Sequence, residues 1–205
     1  LIDNDSTRNK IDSFLNGKTT NSTKNYSQKV GYLNESQNTA YLKAINASDF
    51  CIIQGPPGTG KTETIGNITK QLIDSGLSVF ITAPTNTAIN NCINAIASKV
   101  KDSSRVIKIG EKAGNKEVLE NQSVMKKSRL AYSSYLNNPT YSQKGIAIGA
   151  TAYSLCYPAS KKLDGWKFDV VIIDEASQLS IPLSIAAMCR TSTVSYTHLT
   201  LPTNR

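Results

Sequence analysis

No apolar run in these 205 residues approaches the roughly 18 to 20 positions that a membrane-crossing helix needs, so the sequence offers nothing to a bilayer. Cysteine is sparse. Cys51, Cys92, Cys156 and Cys189 share no CxxC or Cys/His spacing, which argues against a zinc site or a disulfide framework and leaves them as small core residues. Histidine occurs once, as His198, inside a tail set aside below, and is not offered as a base or a ligand. No internal repeat is visible. Leu1 to Lys10 lack both an initiator Met and the apolar core of a signal peptide, which reads as a cut in a longer chain and points to a cytoplasmic address. Acidic residues are outnumbered, 15 against 23 Lys and Arg, for a net charge of +8. That balance favours a polyanionic partner, because Lys and Arg that neutralise phosphates release condensed counterions, although many basic proteins bind no nucleic acid.

Hydrophobic content of 39% and charged content of 19% place the chain among soluble globular proteins, and its length fits one core with an appendage. The last twelve residues, Val194 to Arg205 (VSYTHLTLPTNR), resemble a translated transposon-end adapter of the kind used in sequencing libraries and are read as an artefact. Their alternation is also that of a strand. The basic balance survives without them, since Arg205 is their one fixed charge.

Residues 1–30 are rich in Asn, Ser, Thr and Lys, with Ile11, Phe14 and Leu15 as their few apolar positions, and read as a partial helix and linker. From Leu33 helical and strand-like segments alternate, the signature of a parallel sheet with crossover helices, and residues 31–193 form one α/β domain. Helices are expected over Asn34–Ile45, Lys61–Ser75, Asn86–Lys99 and from Pro182 to Met188, and strands over Phe50–Gln54, Val79–Thr82, Arg105–Ile109, Gly145–Gly149 and Phe168–Ile173. The polar stretch of about residues 111–143 interrupts the alternation and reads as a small helical insert.

GPPGTGKT, from Gly55 through Pro56, Pro57, Gly58, Thr59, Gly60 and Lys61 to Thr62, matches the GxxxxGK[ST] phosphate loop and sits between an expected strand and an expected helix, as that loop requires. Its glycines let backbone N–H groups close around phosphate oxygens, and the helix N-terminus adds its positive end. Lys61 is expected to reach the β- and γ-phosphates of ATP and the Thr62 hydroxyl to ligate Mg²⁺. VVIIDEASQ, Val170 to Gln178, supplies the complement: an apolar strand delivers two carboxylates at its C-terminal end, where ligands bind in open parallel sheets. Asp174 is expected to hold Mg²⁺ and Glu175 to orient and deprotonate the attacking water. The bland alternative is an Asp-Glu pair that caps the helix that follows.

Four segments carry a family resemblance. LNESQ (Leu33 to Gln37) looks like the Q motif, GPPGTGKT has a Pro-Pro phosphate loop, APTNTA (Ala83 to Ala88) looks like motif Ia and DEASQ (Asp174 to Gln178) looks like motif II. Together, over roughly Leu33 to Arg190, they resemble the superfamily 1 helicases of the up-frameshift type, the nonsense-mediated-decay helicase and its bacterial relatives. The resemblance implies a RecA-like phosphate-loop NTPase fold with helices on both faces of the sheet, ATP and Mg²⁺ at the site, and single-stranded RNA or DNA as partner. It implies that Gln37 contacts the adenine edge, whereas its spacing from Asn34 is equally that of a helix capping box. It places Gln178 between ATP and the strand-moving machinery. It assigns Pro84, Thr85, Asn86 and Thr151 to the nucleic-acid backbone, positions that alone read as ordinary strand-end turns.

Tyr132, Tyr135, Tyr141, Lys126, Lys127 and Arg129 of the insert could grip a strand by charge and stacking, or form a solvated helical face. In the family a GDxxQ motif III and a second domain supplying arginines follow. Neither is found after Arg190. Such arginines are worth on the order of 10³ to 10⁵ in rate, so the fragment is expected to bind ATP weakly and hydrolyse it barely. The alternatives are a nucleotide-regulated nucleic-acid-binding module without unwinding activity, and a different phosphate-loop ATPase with a chance motif Ia.

Overall fold

A computed structural model of the chain describes residues 25–48, 50–108, 145–153, 168–189 and 191–197, with residues 9, 12 and 16. The helix expected around Ile11, Phe14 and Leu15, the insert of about 111–143, Cys156 and His198 lie outside the described residues.

Local sequence sets each helix. The first, α1 (Glu35–Asn46), opens with a closed capping box: the Asn34 side chain accepts from the Gln37 backbone N–H at 2.9 Å, and the Gln37 amide oxygen accepts from the Asn34 N–H at 3.0 Å. Helix α2 (Lys61–Asp74) follows the glycine-rich loop and ends before Gly76, whose φ of 86° turns the chain out. Helix α3 (Asn86–Ala97) starts at Thr85, whose hydroxyl accepts from the Ala88 N–H at 3.2 Å, and turns Ile89, Cys92, Ile93 and Ile96 inward. Helix α4 (Ile181–Met188) carries Pro182 in its first turn, where the missing N–H costs nothing.

The strands are β1 (Ile52–Ile53), β2 (Ser78–Thr82), β3 (Val106–Lys108), β4 (Ile146–Gly149), β5 (Phe168–Ile173) and β6 (Thr191–Thr197). They form one sheet in the order β1-β6-β5-β2-β4-β3, and every pairing is parallel. Side chains alternate across it. Val79, Ile81, Val106, Ala147, Val170 and Ile172 pack with α1, α2 and α3, and Phe80, Ile107, Ile148, Val171 and Ile173 pack with α4 on the other face. Each fully buried isoleucine, such as Ile65, Ile89 or Ile172, contributes roughly 2 kcal/mol by leaving water.

Two expected strands are corrected. Phe50–Gln54 was to be a buried strand, but only Ile52 and Ile53 pair, and Ile52 is 52% exposed. The reason is position: β1 is an edge strand whose one neighbour is β6. The strand beginning at Arg105 starts one residue later, because Arg105 ends a 3-10 turn (Ser103–Arg105) and its guanidinium is engaged elsewhere. It donates to Asp74 Oδ1 at 2.9 Å, to the Gly145 carbonyl at 3.1 Å and to the Ile73 carbonyl, joining the end of α2 to the starts of β3 and β4. Burial pushes the Asp74 carboxyl up, but bonds from Lys70 and Arg105 outweigh this and hold it below its usual range. That stabilisation is present above the pH at which an unfolded aspartate titrates and fades as pH falls through the lower folded value. Arg105→Ala is expected to cost about 2 to 3 kcal/mol, read as a lower urea midpoint with an unchanged slope.

Strand β6 takes in Val194 to Thr197, the start of the tail read as an artefact. Val-Ser-Tyr-Thr extends the strand begun at Thr191 and lies between β1 and β5, with Val194 opposite Val171 and Tyr196 opposite both Ile173 and Ile52. Residues 198–205 lie outside the described residues.

Candidate active site

The phosphate loop leaves β1 at the C-terminal edge of the sheet. Gly58 and Gly60 take φ of 79° and 76°, the left-handed region that a side chain disfavours, and this bends the chain so that Gly60 caps α2 without any side-chain bond. The N–H groups of that first turn are therefore open to an anion. The Thr59 hydroxyl donates to the Pro56 carbonyl at 2.8 Å and steadies the loop from within. Lys61 lies over it, its ammonium donating to the Gly55 carbonyl at 2.7 Å and to that of Pro56. Burial pulls the Lys61 pKa down, against the nearby charges of Asp174 and Glu175, which favour the ammonium. The loop lysine is thus within electrostatic reach of the two carboxylates, although β6 stands between their strands.

Gln37 forms the capping box and, with the other end of the same amide, donates from Nε2 to the Thr59 carbonyl at 2.9 Å. The Q-motif segment is in this way bolted to the phosphate loop. A Cβ on Gly60 would come within 2.4 Å of Gln37 Nε2, so the close approach of the two depends on glycine there.

Asp174 directly follows β5, its backbone N–H bonded to the Thr82 carbonyl at 2.9 Å, and it is buried, with 5% exposure. Its Oδ2 accepts from the Cys92 thiol at 3.3 Å, and Oδ1 has no hydrogen-bond partner among the described residues. Burial, with the Asp174 and Glu175 charges, drives the Cys92 pKa well up and keeps that thiol protonated. Glu175 is the one non-glycine residue with positive φ among those described, at 50°. It precedes the 3-10 turn Ala176–Gln178 without capping it by its side chain, so the bland reading of the Asp-Glu pair as a helix cap is not what forms. A left-handed glutamate stores backbone strain, which tends to collect at functional positions.

These donors fit a nucleotide with a divalent cation. Asp174 offers a half-free buried carboxylate and Thr62, in the first turn of α2, a hydroxyl, while no cluster of three His, Cys, Asp or Glu exists among the described residues to cage a metal alone. Mg²⁺ is commonly held by one or two protein oxygens together with phosphates and water.

The remaining expected residues spread along the same edge. Thr85 and Asn86 are exposed at the start of α3, and Pro84 is partly so. Thr151 follows β4, the neighbour of β2, just after Ala150 donates to the Ile81 carbonyl at 3.0 Å. Gln178 is exposed and closes the 3-10 turn that follows Glu175. Two residues were not singled out from the sequence. Cys92 lies in the apolar stripe of α3, where helical periodicity identifies only a core position. Lys108, buried at the end of β3, donates to Asn90 of α3, and burial lowers its pKa. No local pattern announces either contact.

A parallel sheet with helices on both faces, a glycine loop capped by a lysine and paired carboxylates at the same edge define a RecA-like phosphate-loop NTPase domain. The AAA-domain family model matches residues 32–152, and the chain belongs to that family. Among curated relatives, it is 30% identical over 161 residues to "DNA replication ATP-dependent helicase/nuclease JHS1" of Arabidopsis thaliana, covering 78% of this chain and 11% of that protein. It is 36% identical over 92 residues to mouse "DNA-binding protein SMUBP-2", covering 45% of this chain and 9% of that one. The chain thus spans about a tenth of the length of these relatives. The UvsW helicase of bacteriophage T4 shares the fold, with a TM-score of 0.55 at 12% identity over 93% of this chain and 59% of that one. Among the described residues no helix is long and apolar enough to cross a membrane.

Proposed function

We propose that the chain is the nucleotide-binding domain of a superfamily 1 helicase of the up-frameshift type, a motor that hydrolyses ATP as it moves along single-stranded nucleic acid. One observation carries this reading: the phosphate loop after β1, Asp174 and Glu175 after β5, and the turns after β2 and β4 share one edge of a single parallel sheet. Ligands bind at that edge in open α/β folds. The similarity to proteins named as ATP-dependent helicases and as DNA-binding supports the motor reading and favours DNA as the strand.

In this reading Lys61 exchanges the Gly55 and Pro56 carbonyls for the β- and γ-phosphate oxygens, and the first N–H groups of α2 take the remaining charge. Thr62 and Asp174 hold Mg²⁺, which neutralises phosphate charge when bound. Glu175 accepts the proton of the attacking water. Gln37 presents its amide to the adenine edge, and Gln178 lies between the nucleotide and the strand-moving parts. Pro84, Thr85, Asn86 and Thr151 hold the nucleic-acid backbone through hydroxyl, amide and backbone donors, which fixes position without reading sequence.

The test is to titrate the chain with a fluorescent ATP analogue, with and without Mg²⁺, and separately with labelled oligo(dT) and oligo(U). Mg²⁺-dependent nucleotide binding and salt-sensitive oligonucleotide binding are expected. Nucleotide binding indifferent to Mg²⁺ and to Asp174→Ala would remove the site reading. Oligo(U) bound far more tightly than oligo(dT) would move the partner from DNA to RNA.

Gln37→Ala separates its two roles. Loss of the capping box costs about 1 kcal/mol, visible as a lower thermal midpoint. An adenine contact adds a second effect, a smaller preference for ATP over GTP, measured by competition. Unchanged preference with lowered stability would leave Gln37 as a cap and loop fastener alone.

A further inference from the structure

Cys92 lies outside both the phosphate loop and the acidic segment after β5. It lies in the middle of α3, fully buried, and reaches across 82 positions of sequence to donate its S–H to Asp174 Oδ2 at 3.3 Å. Ile89, Ile93 and Ile96, the other members of the same stripe, fill the interface without any polar atom. At this one position the stripe carries a donor, and it is aimed at the one buried acid of the site.

The consequence lies in what the carboxylate can do. A buried carboxylate at a strand end can turn about its side-chain torsions unless something holds it. Here the Asp174 main chain is tied to β2 through Thr82, and one carboxylate oxygen is tied to α3 through Cys92. The second oxygen has no hydrogen-bond partner among the described residues. We infer that Cys92 is a positioning residue: its thiol pins Oδ2 so that Oδ1 is the oxygen presented to the cation. Outer partners of metal-ligating carboxylates act in this way, by fixing the ligand rather than touching the metal. This rests on the reading of Asp174 as a Mg²⁺ ligand.

The test uses the 205-residue chain carrying Cys92→Ser, Cys92→Ala or Cys92→Val, and reads the Mg²⁺ concentration that half-saturates binding of a fluorescent ADP analogue, with thermal melting alongside. Ala leaves a small void and Val overfills the site, so their packing effects differ while both remove the donor. Both are expected to raise the half-saturating Mg²⁺ about tenfold, the lower end for loss of an outer partner because S–H is a weak donor, with a much smaller change in nucleotide affinity measured without Mg²⁺. Ser keeps a donor and is expected to stay within about twofold of the wild type on the same grounds. A wild-type Mg²⁺ requirement in Ala and Val, or a shift in Ser as large as theirs, overturns the inference and leaves the thiol a packing group. If Val does not fold, Ala against Ser still decides. Absence of any Mg²⁺ dependence in the wild type would instead overturn the ligand reading of Asp174, and this inference with it.

Discussion

Replacing Lys61 with alanine is expected to weaken nucleotide binding by a hundredfold or more while leaving the chain folded. The ammonium sits over the loop on the Gly55 and Pro56 carbonyls, where phosphate oxygens are to arrive. Each charge-assisted bond it makes to phosphate is worth about 1.5 to 3 kcal/mol, so the loss of two amounts to roughly 3 to 6 kcal/mol, or at least two orders of magnitude in affinity. Little stability goes with it. Pro56 is exposed and Gly55 partly so, and water can take the place of the ammonium on their carbonyls. A thermal midpoint within about 2 °C of the wild type is expected, as for surface substitutions. Isothermal titration with ATP and Mg²⁺ measures the first quantity and calorimetric melting the second. Affinity within threefold of the wild type would mean that the phosphate-loop reading of Gly55 to Thr62 is wrong.

Gly145→Ala is expected to be severely damaging, with the tightest backbone clash found for an added methyl among the described residues. Gly145 has φ of 66°, and a Cβ there would lie 2.0 Å from the Ile73 carbonyl oxygen and 2.7 Å from the Ile73 C and Cα. These are backbone atoms of the last turn of α2, with no rotamer to swing aside. The left-handed backbone adds a cost of about 1 to 2 kcal/mol for any residue with a side chain. Arg105, bonded to both Gly145 and Ile73, fastens the same junction and resists its opening. A loss of about 4 kcal/mol or more is expected, a large part of the 5 to 15 kcal/mol that typical domains possess. Urea unfolding measures it. A loss under about 1 kcal/mol would show that the ends of α2 and β4 separate easily.

The elements themselves were legible because each carries its own punctuation. Asn34 and Gln37 at three-residue spacing announce a cap, and the cap forms. Gly76 ends α2, Pro182 opens α4, and the alternating stripes of β2 and β5 face the two helical layers. The expected phosphate loop forms between β1 and α2, and the charges of Asp174 and Glu175 act on its Lys61. Illegible were the properties that arise between segments. That β6 inserts between β1 and β5 follows from no local pattern, and neither does the exposure of Ile52 at the edge. Gln37 shows the limit most clearly. Its spacing gives the cap, but the bond from its Nε2 to Thr59 exists only because two segments 22 positions apart are packed together. Cys92 and Lys108 fail for the same reason: periodicity reports which face a residue is on, not what waits there.

Strands β3 and β4 are neighbours in the sheet, yet residues 109–145 of the chain separate them. Doubling the length of such a connection costs only about 0.6 kcal/mol in closure entropy, so that stretch can lengthen or shorten while β2 and β5 keep the register that places Asp174.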